Sequence, residues 1–163
     1  LAKTGMLRSA HMLGNEEEII FTATDLLADT KLALELSNEA HYYRAKAYLD
    51  AGKTDGAMED LKVLAKDTRN VYGAEAKYKV AQIYFDGGQT DKAEQEVLNY
   101  IEVSTPHTYW LARSFVLLAD VYMKLGRNLD AKQYLLSLKQ NYQADDDIAG
   151  MIESRLEKLK TEN

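Results

Sequence analysis

The sequence has no cysteine and a single proline in 163 residues. Without cysteine there is no disulfide, no thiolate nucleophile and no sulfur ligand for a metal. That lack does not separate the cytoplasm from a bacterial periplasm. Proline removes a helix hydrogen bond, so its scarcity leaves room for an almost continuous run of helices. No apolar stretch approaches the length of about 20 residues that spans a bilayer, and no direct membrane insertion is expected. No secretory or transit pattern opens the chain. A start at Leu1 instead of Met reads as a processed chain or a piece of a longer one. Basic charge is short as well, with 20 Lys and Arg against 26 Asp and Glu, a net charge of −6. Nucleic-acid binders need a basic field to release counterions. These lysines and arginines are scattered without a basic stripe, which argues against DNA or RNA as a partner. No long stretch alternates β-branched and polar residues, so no sheet is expected.

What is present is a recurring phrase. It reads Arg44-Ala45-Lys46-Ala47-Tyr48, then Val80-Ala81-Gln82-Ile83-Tyr84, then Leu118-Ala119-Asp120-Val121-Tyr122. A glycine follows each copy (Gly52, Gly88, Gly126), and five residues later an alanine (Ala57, Ala93, Ala131). The glycines stand 36 and 38 residues apart, and Gly14 extends the register another 38 residues upstream. A period of this size marks stacked helical repeats. Apolar residues recur at helical spacing throughout, as in Ala76, Val80, Ile83 and Tyr84.

The breaks between helices have stop and start chemistry. The glycines suit the left-handed position that ends a helix. Thr54, Thr90 and Asn128 suit the following N-caps, and Asp55 and Asp91 put negative charge in the first turn. Thr105-Pro106 adds a start signal, Thr as cap and Pro in the first turn, while Ser37 and Asn15 can cap two further helices. The expected helix pairs are 37–51 with 54–68, 71–86 with 90–104, and 106–125 with 128–142. A last helix over 147–160 has Ile148, Met151, Ile152, Leu156 and Leu159 on one face. Glu153, Arg155, Glu157, Lys158 and Lys160 form its wet face, which suits a terminal cap. Asp145, Asp146 and Asp147 read as capping and dipole partners; a calcium loop would spread its ligands around a glycine turn. The stretch 28–36 either extends an upstream helix or forms a linker.

These residues carry a resemblance to the tetratricopeptide repeat, whose pattern is W-x2-L-G-x2-Y, then A-x3-F, then P. The copies are His41-x2-Arg44-Ala45-x2-Tyr48 with Ala57-x3-Leu61, Lys77-x2-Val80-Ala81-x2-Tyr84 with Ala93-x3-Val97, and Phe115-x2-Leu118-Ala119-x2-Tyr122 with Ala131-x3-Leu135. The small residues let the two helices of a pair approach closely, and larger side chains there would overpack the contact. The pattern's tryptophan is replaced by His41, Lys77 and Phe115, and its closing proline survives only as Pro106, one residue late. The resemblance implies an all-α fold, a right-handed α-α superhelix of helix pairs closed by a C-terminal capping helix. It implies one domain over 1–163, with a degenerate copy at 1–36, repeats at 37–71, 72–108 and 109–144, and the cap at 145–163. The longer period resembles bacterial envelope members of the family, among them outer-membrane-assembly lipoproteins and the periplasmic partner of the Tol-Pal system. Thr105 to Ser114 and Asp146-Asp147-Ile148 are similar to the C-terminal end of a long Bacteroides-type member. That likeness implies a periplasmic or outer-membrane-associated location, with the cytoplasm as the alternative.

The chemical motifs are weak. Ala51-Gly52-Lys53-Thr54 imitates the end of a P-loop, but Ala47 stands where the motif needs glycine, and a helix precedes it where a strand is required. His11, His41 and His107 lie a repeat or more apart, without zinc-ligand spacing. Ser114 and His107 lack a nucleophile turn. The sequence therefore points to no catalytic residue, no metal and no cofactor. In this family the first helix of each pair lines a concave groove. Carried residue by residue onto this chain, the groove positions are Tyr42, Lys46, Leu49 and Asp50, then Glu75, Tyr78, Gln82, Phe85 and Asp86, then Arg113, Val116, Asp120, Met123 and Lys124. Phe85, Tyr78 and Leu49 can serve as binding anchors or pack against neighbouring helices; both readings stay open. The family's basic and amide clamp for a C-terminal carboxylate is not supported by Tyr42 with Lys46 and Tyr78 with Gln82. The expected role is a non-catalytic scaffold for a protein or peptide partner. A structural solenoid segment or homo-oligomerising module is the alternative.

Overall fold

The structure, a computed structural model, describes residues 2–161. Leu1 of the expected first copy, and Glu162 and Asn163 of the expected cap, lie outside the described residues. Among the described residues there are nine helices and no strand: α1 (Ala2–Leu13), α2 (Glu16–Leu27), α3 (Leu34–Asp50), α4 (Thr54–Leu64), α5 (Val71–Asp86), α6 (Thr90–Glu102), α7 (Thr108–Lys124), α8 (Asn128–Asn141) and α9 (Ile148–Thr161). The chain forms two compact units, one up to Lys77 and one from Tyr78 onward, so the boundary falls inside α5.

The turns explain the recurring phrase. Gly14, Gly52, Gly88 and Gly126 all take positive φ, between 67° and 78°, where a side chain would be strained. After α3, Gly52 N–H donates to the Leu49 carbonyl and Lys53 N–H to the Tyr48 carbonyl at 2.7 Å. These two bonds close the helix in the Schellman arrangement. The Lys53 carbonyl then accepts the Ala57 N–H, the first bond of α4. Gln89 links Tyr84 to Ala93 in the same way, and Arg127 links Tyr122 to Ala131. The residue after each glycine thus ends one helix and begins the next.

This double duty corrects the expected caps. Lys53, Gln89 and Arg127 are the N-caps, without side-chain capping bonds. Thr54, Thr90 and Asn128 are already the first helical residues. A three-residue turn leaves no room for a separate cap. In the upstream copy the residue after Gly14 is Asn15, and its Oδ1 does accept the Glu18 N–H at 3.1 Å. Ser37 is not a cap, because α3 begins at Leu34 and the Ser37 N–H already bonds the Ala33 carbonyl. Residues 28–33 form a linker. Thr105 is not a cap either: its hydroxyl accepts the His107 N–H at 3.1 Å, and α7 starts at Thr108, beyond Pro106. The Asp146 carboxylate takes the Ile148 N–H at 2.9 Å in the turn that precedes α9, and the Asp147 carbonyl opens the helix by accepting the Met151 N–H.

In the first unit, Leu7, Ala10, Ile19, Ala23, Leu26, Ala40 and Ala47 pack together. Ala45 and Ala57 are fully buried, as a close pairing of α3 with α4 requires. Arg8 of α1 grips Glu39 of α3 through two bonds of 2.6 and 2.9 Å. Gly73 in the first turn of α5 is required by space. A Cβ there would stand 1.9 Å from the Asp67 carbonyl oxygen and 2.6 Å from that of Leu64.

The same unit buries a charge, Asp60 on α4, which is 1% exposed. Arg44 holds it with two bonds of 2.9 and 2.7 Å, and His41 Nδ1 stands 2.7 Å from Oδ1. Arg44 also donates to the Thr24 hydroxyl of α2 at 3.0 Å. His41 and Arg44 occupy the slots where the repeat pattern has tryptophan and leucine, and Asp60 is their counterpart on the facing helix. In the second unit the corresponding residues, Phe115 and Tyr134, meet as rings 6.1 Å apart. One position pair is therefore filled by ions in one copy and by aromatic rings in another.

The second unit's core joins Ala81, Ala93, Val97, Tyr100, Leu118, Ala119, Ala131 and Leu135 to Ile148, Ile152 and Leu159 of α9. That apolar stripe on α9 is the expected one, but Arg155 is not on the wet face. It makes two bonds to Asp120 of α7, at 2.8 and 2.9 Å, and leaves Glu153, Glu157, Lys158 and Lys160 exposed.

The buried ion cluster gives a test of stability. Burial alone would raise the Asp60 pKa, but the hydrogen bonds from His41 and Arg44 outweigh it and hold the carboxyl below its usual value. A lowered folded pKa contributes stability that is present above the usual carboxylate pKa and lost as pH falls through the lowered value. We predict that Asp60→Ala costs about 1–3 kcal/mol in urea unfolding at pH 7, because half-buried Arg44 and His41 lose their hydrogen bonds to a charged acceptor. The variant's stability should also fall less steeply with acid than the parent's. A loss comparable to that of an exposed carboxylate would contradict this account.

Candidate functional site

The expected groove residues fall into two clusters, one in each unit. In the first, Tyr42 on α3 is half-buried, with its ring 4.5 Å from that of Tyr72 and 5.7 Å from that of Tyr43. Lys46, one helical turn on, lies over the Tyr42 ring at 5.0 Å and donates to its hydroxyl at 3.2 Å. The Tyr42 hydroxyl is held protonated far above its usual range, first by burial and then by Glu75, which also hydrogen-bonds it. The proton order therefore runs Lys46 to Tyr42 to Glu75. Leu49 is half-buried and Asp50 is exposed.

The second cluster is built on the same spacing with the charges exchanged. Tyr78 stands 36 residues after Tyr42, Gln82 after Lys46 and Asp86 after Asp50; Arg113 stands 38 residues after Glu75. Arg113 of α7 donates to the Tyr78 hydroxyl at 3.0 Å, Tyr78 donates to Gln82 Oε1 at 2.9 Å, and Gln82 donates to Asp86 at 2.8 Å. A phenol can donate and accept, so one tyrosine position serves both directions. The guanidinium also lies 4.9 Å from the Tyr78 ring centroid and donates to the Tyr109 hydroxyl at 3.0 Å. The Tyr109 hydroxyl in turn donates a hydrogen bond to the Asp147 carboxylate, at 3.0 and 3.2 Å from its two oxygens. Trp110 completes the aromatic group, 5.7 Å from Tyr78 and 5.0 Å from Tyr109.

The remaining positions differ in what they offer a partner. Val116 is 3% exposed and Tyr78 is 7% exposed. Val116 is a core residue, and Tyr78 contributes its hydroxyl, with the ring committed to packing. Phe85 and Met123 are half-buried and pack against the core. Lys124 is exposed. Asp120 is engaged by Arg155. Sequence reasoning misses four residues of this cluster: Tyr109, Trp110, Asp147 and Arg155. For Tyr109 the available signal is its place one helical turn before Arg113. Arg155 and Asp147 reach the cluster by tertiary packing of α9, which no spacing reveals.

Two stretches, 39–67 and 112–141, match family models described as tetratricopeptide repeat. They hold α4 with most of α3, and α8 with most of α7. Among solved structures, MamA matches with a TM-score of 0.63 and 20% identity, covering 96% of this chain and 96% of that one. A single-substitution form of a Podosopora anserina putative kinesin light chain with nearly identical TPR-like repeats matches at 0.60, with 15% identity, 98% of this chain and 92% of that one. The same protein without that substitution matches at 0.59. At these identities the structures show the fold, an all-α arrangement of tetratricopeptide-like helix pairs. Among curated proteins none matches the chain in sequence. Residues 39–67 and 112–141 thus match tetratricopeptide repeats, a kind of repeat that generally mediates protein–protein interaction, and no enzymatic family is indicated. The envelope likeness at Thr105 to Ser114 gains nothing from these matches.

The Tyr78 relay has a measurable consequence. Tyr78→Phe keeps the ring and removes the hydroxyl that accepts from Arg113 and donates to Gln82. We predict a loss of about 1–3 kcal/mol in denaturant unfolding, since hydrogen-bonding groups lose their partners. No change in the unfolding midpoint would show that Arg113 and Gln82 find equivalent partners elsewhere.

Proposed function

We propose that these tetratricopeptide repeats form a non-catalytic binding module, and that the face carrying Gln82, Phe85, Asp86, Arg113 and Lys124 takes up a polypeptide segment of a protein partner. The observation that supports the reading most directly is the Arg113 cluster. Two hydroxyls and two aromatic rings hold a guanidinium in one orientation on a face that packing alone does not require to be polar. Fixed side chains lose little entropy when a partner arrives, and such preorganisation favours binding. The groove assignment of the first-unit residues Tyr42, Lys46, Leu49, Asp50 and Glu75 belongs to the same reading.

The test is capture of a native partner by the whole chain and by two double variants. Phe85→Ala with Arg113→Ala should lose capture while the circular dichroism spectrum stays helical. Lys132→Ala with Gln133→Ala, two exposed residues of α8, should capture normally. Equal capture by both variants would remove the face from consideration.

A second reading, self-association, is favoured by a separate observation. Met12 and Leu13 at the end of α1 are 86% and 82% exposed, and Phe21 on α2 is 73% exposed. All three belong to the first helix pair, and large exposed apolar side chains are available to a contact surface. On this reading Phe21→Ser abolishes any concentration-dependent rise in light-scattering mass, and a parent chain that stays monomeric at all concentrations rules it out.

A further inference from the structure

We propose that the Arg113–Tyr78–Gln82–Asp86 relay is a two-pole recognition site, and that it selects an extended segment with an acidic and a basic residue two or four positions apart, on one face of the segment. The proposal rests on the reading that this face binds a polypeptide, and adds the chemistry of what it binds.

Arg113 has five N–H donors. One goes to Tyr78 and one to Tyr109. It makes no ion pair with any described carboxylate, and its charge reaches Asp147 only through the Tyr109 hydroxyl. Its neighbour Arg155, by contrast, has its charge paired with Asp120 through two bonds and gives a third to the Met151 carbonyl. Half-buried and stacked on Tyr78, the Arg113 fork keeps three donors for an incoming acceptor, and a carboxylate matches that fork with two parallel bonds. At the other end of the relay Asp86 is exposed, takes one bond from Gln82 and makes no ion pair with a described cation. The relay therefore ends in an open cation and an open anion.

The spacing follows from helix geometry. Tyr78 and Asp86 lie eight residues apart on α5, a rise of about 12 Å at 1.5 Å per residue, and the poles stand no farther apart than that, because only three hydrogen bonds and the Gln82 amide link the Arg113 guanidinium to Asp86. An extended chain advances about 3.3 Å per residue and turns every second side chain to the same face, so the two poles match side chains two or four residues apart. Between them, the second N–H of the Gln82 amide meets the segment's backbone carbonyls. A segment with two like charges places one of them against a like pole, so the same arrangement selects against uniformly acidic or basic partners.

The experiment selects a random twelve-residue peptide display library on the full chain, then measures binding of the selected peptides by emission of Trp110. This is the single tryptophan of the chain, and it lies against Tyr78 and Tyr109. Selected peptides are expected to share an acid and a base two or four residues apart. Arg113→Gln should weaken them at least about tenfold, as truncating one member of a close charge pair does. In that variant, changing the peptide's acid to Gln should have no further effect. Asp86→Asn should do the same toward the peptide's base. Arg113→Lys, which keeps the charge and loses the fork, provides the comparison if Arg113→Gln does not fold. Peptides that shift Trp110 emission without this charge spacing, or with affinity indifferent to both variants, overturn the two-pole site and leave the binding face standing. Loss of binding on C-terminal amidation, with the internal acid dispensable, overturns it as well. If no peptide perturbs Trp110, the binding face itself fails.

Discussion

Everything in this chain hangs on one hydrogen bond and its repetition. The carbonyl of Tyr48 is closed by the N–H of Lys53, across a glycine in the left-handed conformation, and the carbonyl of Lys53 opens the next helix at Ala57. Because one residue both ends and begins a helix, the turn is short and the two helices must run back close together. That closeness is tolerable only with small residues at the crossing, which is where fully buried Ala45 and Ala57 stand. Tyrosine, glycine and alanine recur together because one turn geometry needs all three.

Within that frame the packing is exchangeable. The first unit fills an interhelical slot with Asp60, His41 and Arg44, and the second fills it with Phe115 and Tyr134. The ionic solution stands because each charge is met by several hydrogen bonds; a buried carboxylate with fewer would cost more than it contributes. The tyrosines beside the helix crossings show the same reuse of position. Tyr42 accepts from Lys46 where Tyr78 accepts from Arg113, so the polarity of the surface changes while the backbone repeats. A fold that tolerates such exchange can diversify its surface without moving its helices.

Helix type, the three helix pairs and last helix downstream of the first copy, and the turn glycines are legible in the sequence, since a positive φ and a period of 3.6 residues leave local marks. The N-caps are misplaced by one residue when a capping side chain is sought where the backbone caps alone. Asn15, which does cap with its side chain, is legible. Of the candidate site, Tyr78, Gln82, Asp86 and Arg113 do stand together, while Val116 turns inward. Arg155 reads as part of a wet face because an amphipathic pattern says which side of a helix is polar, and nothing about an acid on another helix that waits for it.

The sequence by itself determined the local architecture: which segments are helical, where a glycine turns one helix into the next, and which pairs pack closely. These properties depend on residues a few positions apart. Only the tertiary structure decided which charges are partnered and which are left open. Asp120 is closed by a residue 35 positions away, Asp60 is enclosed by two side chains of a facing helix, and Arg113 is held by phenols alone. Pairing of this kind is settled by distances between helices, and those distances exist only once the chain has packed.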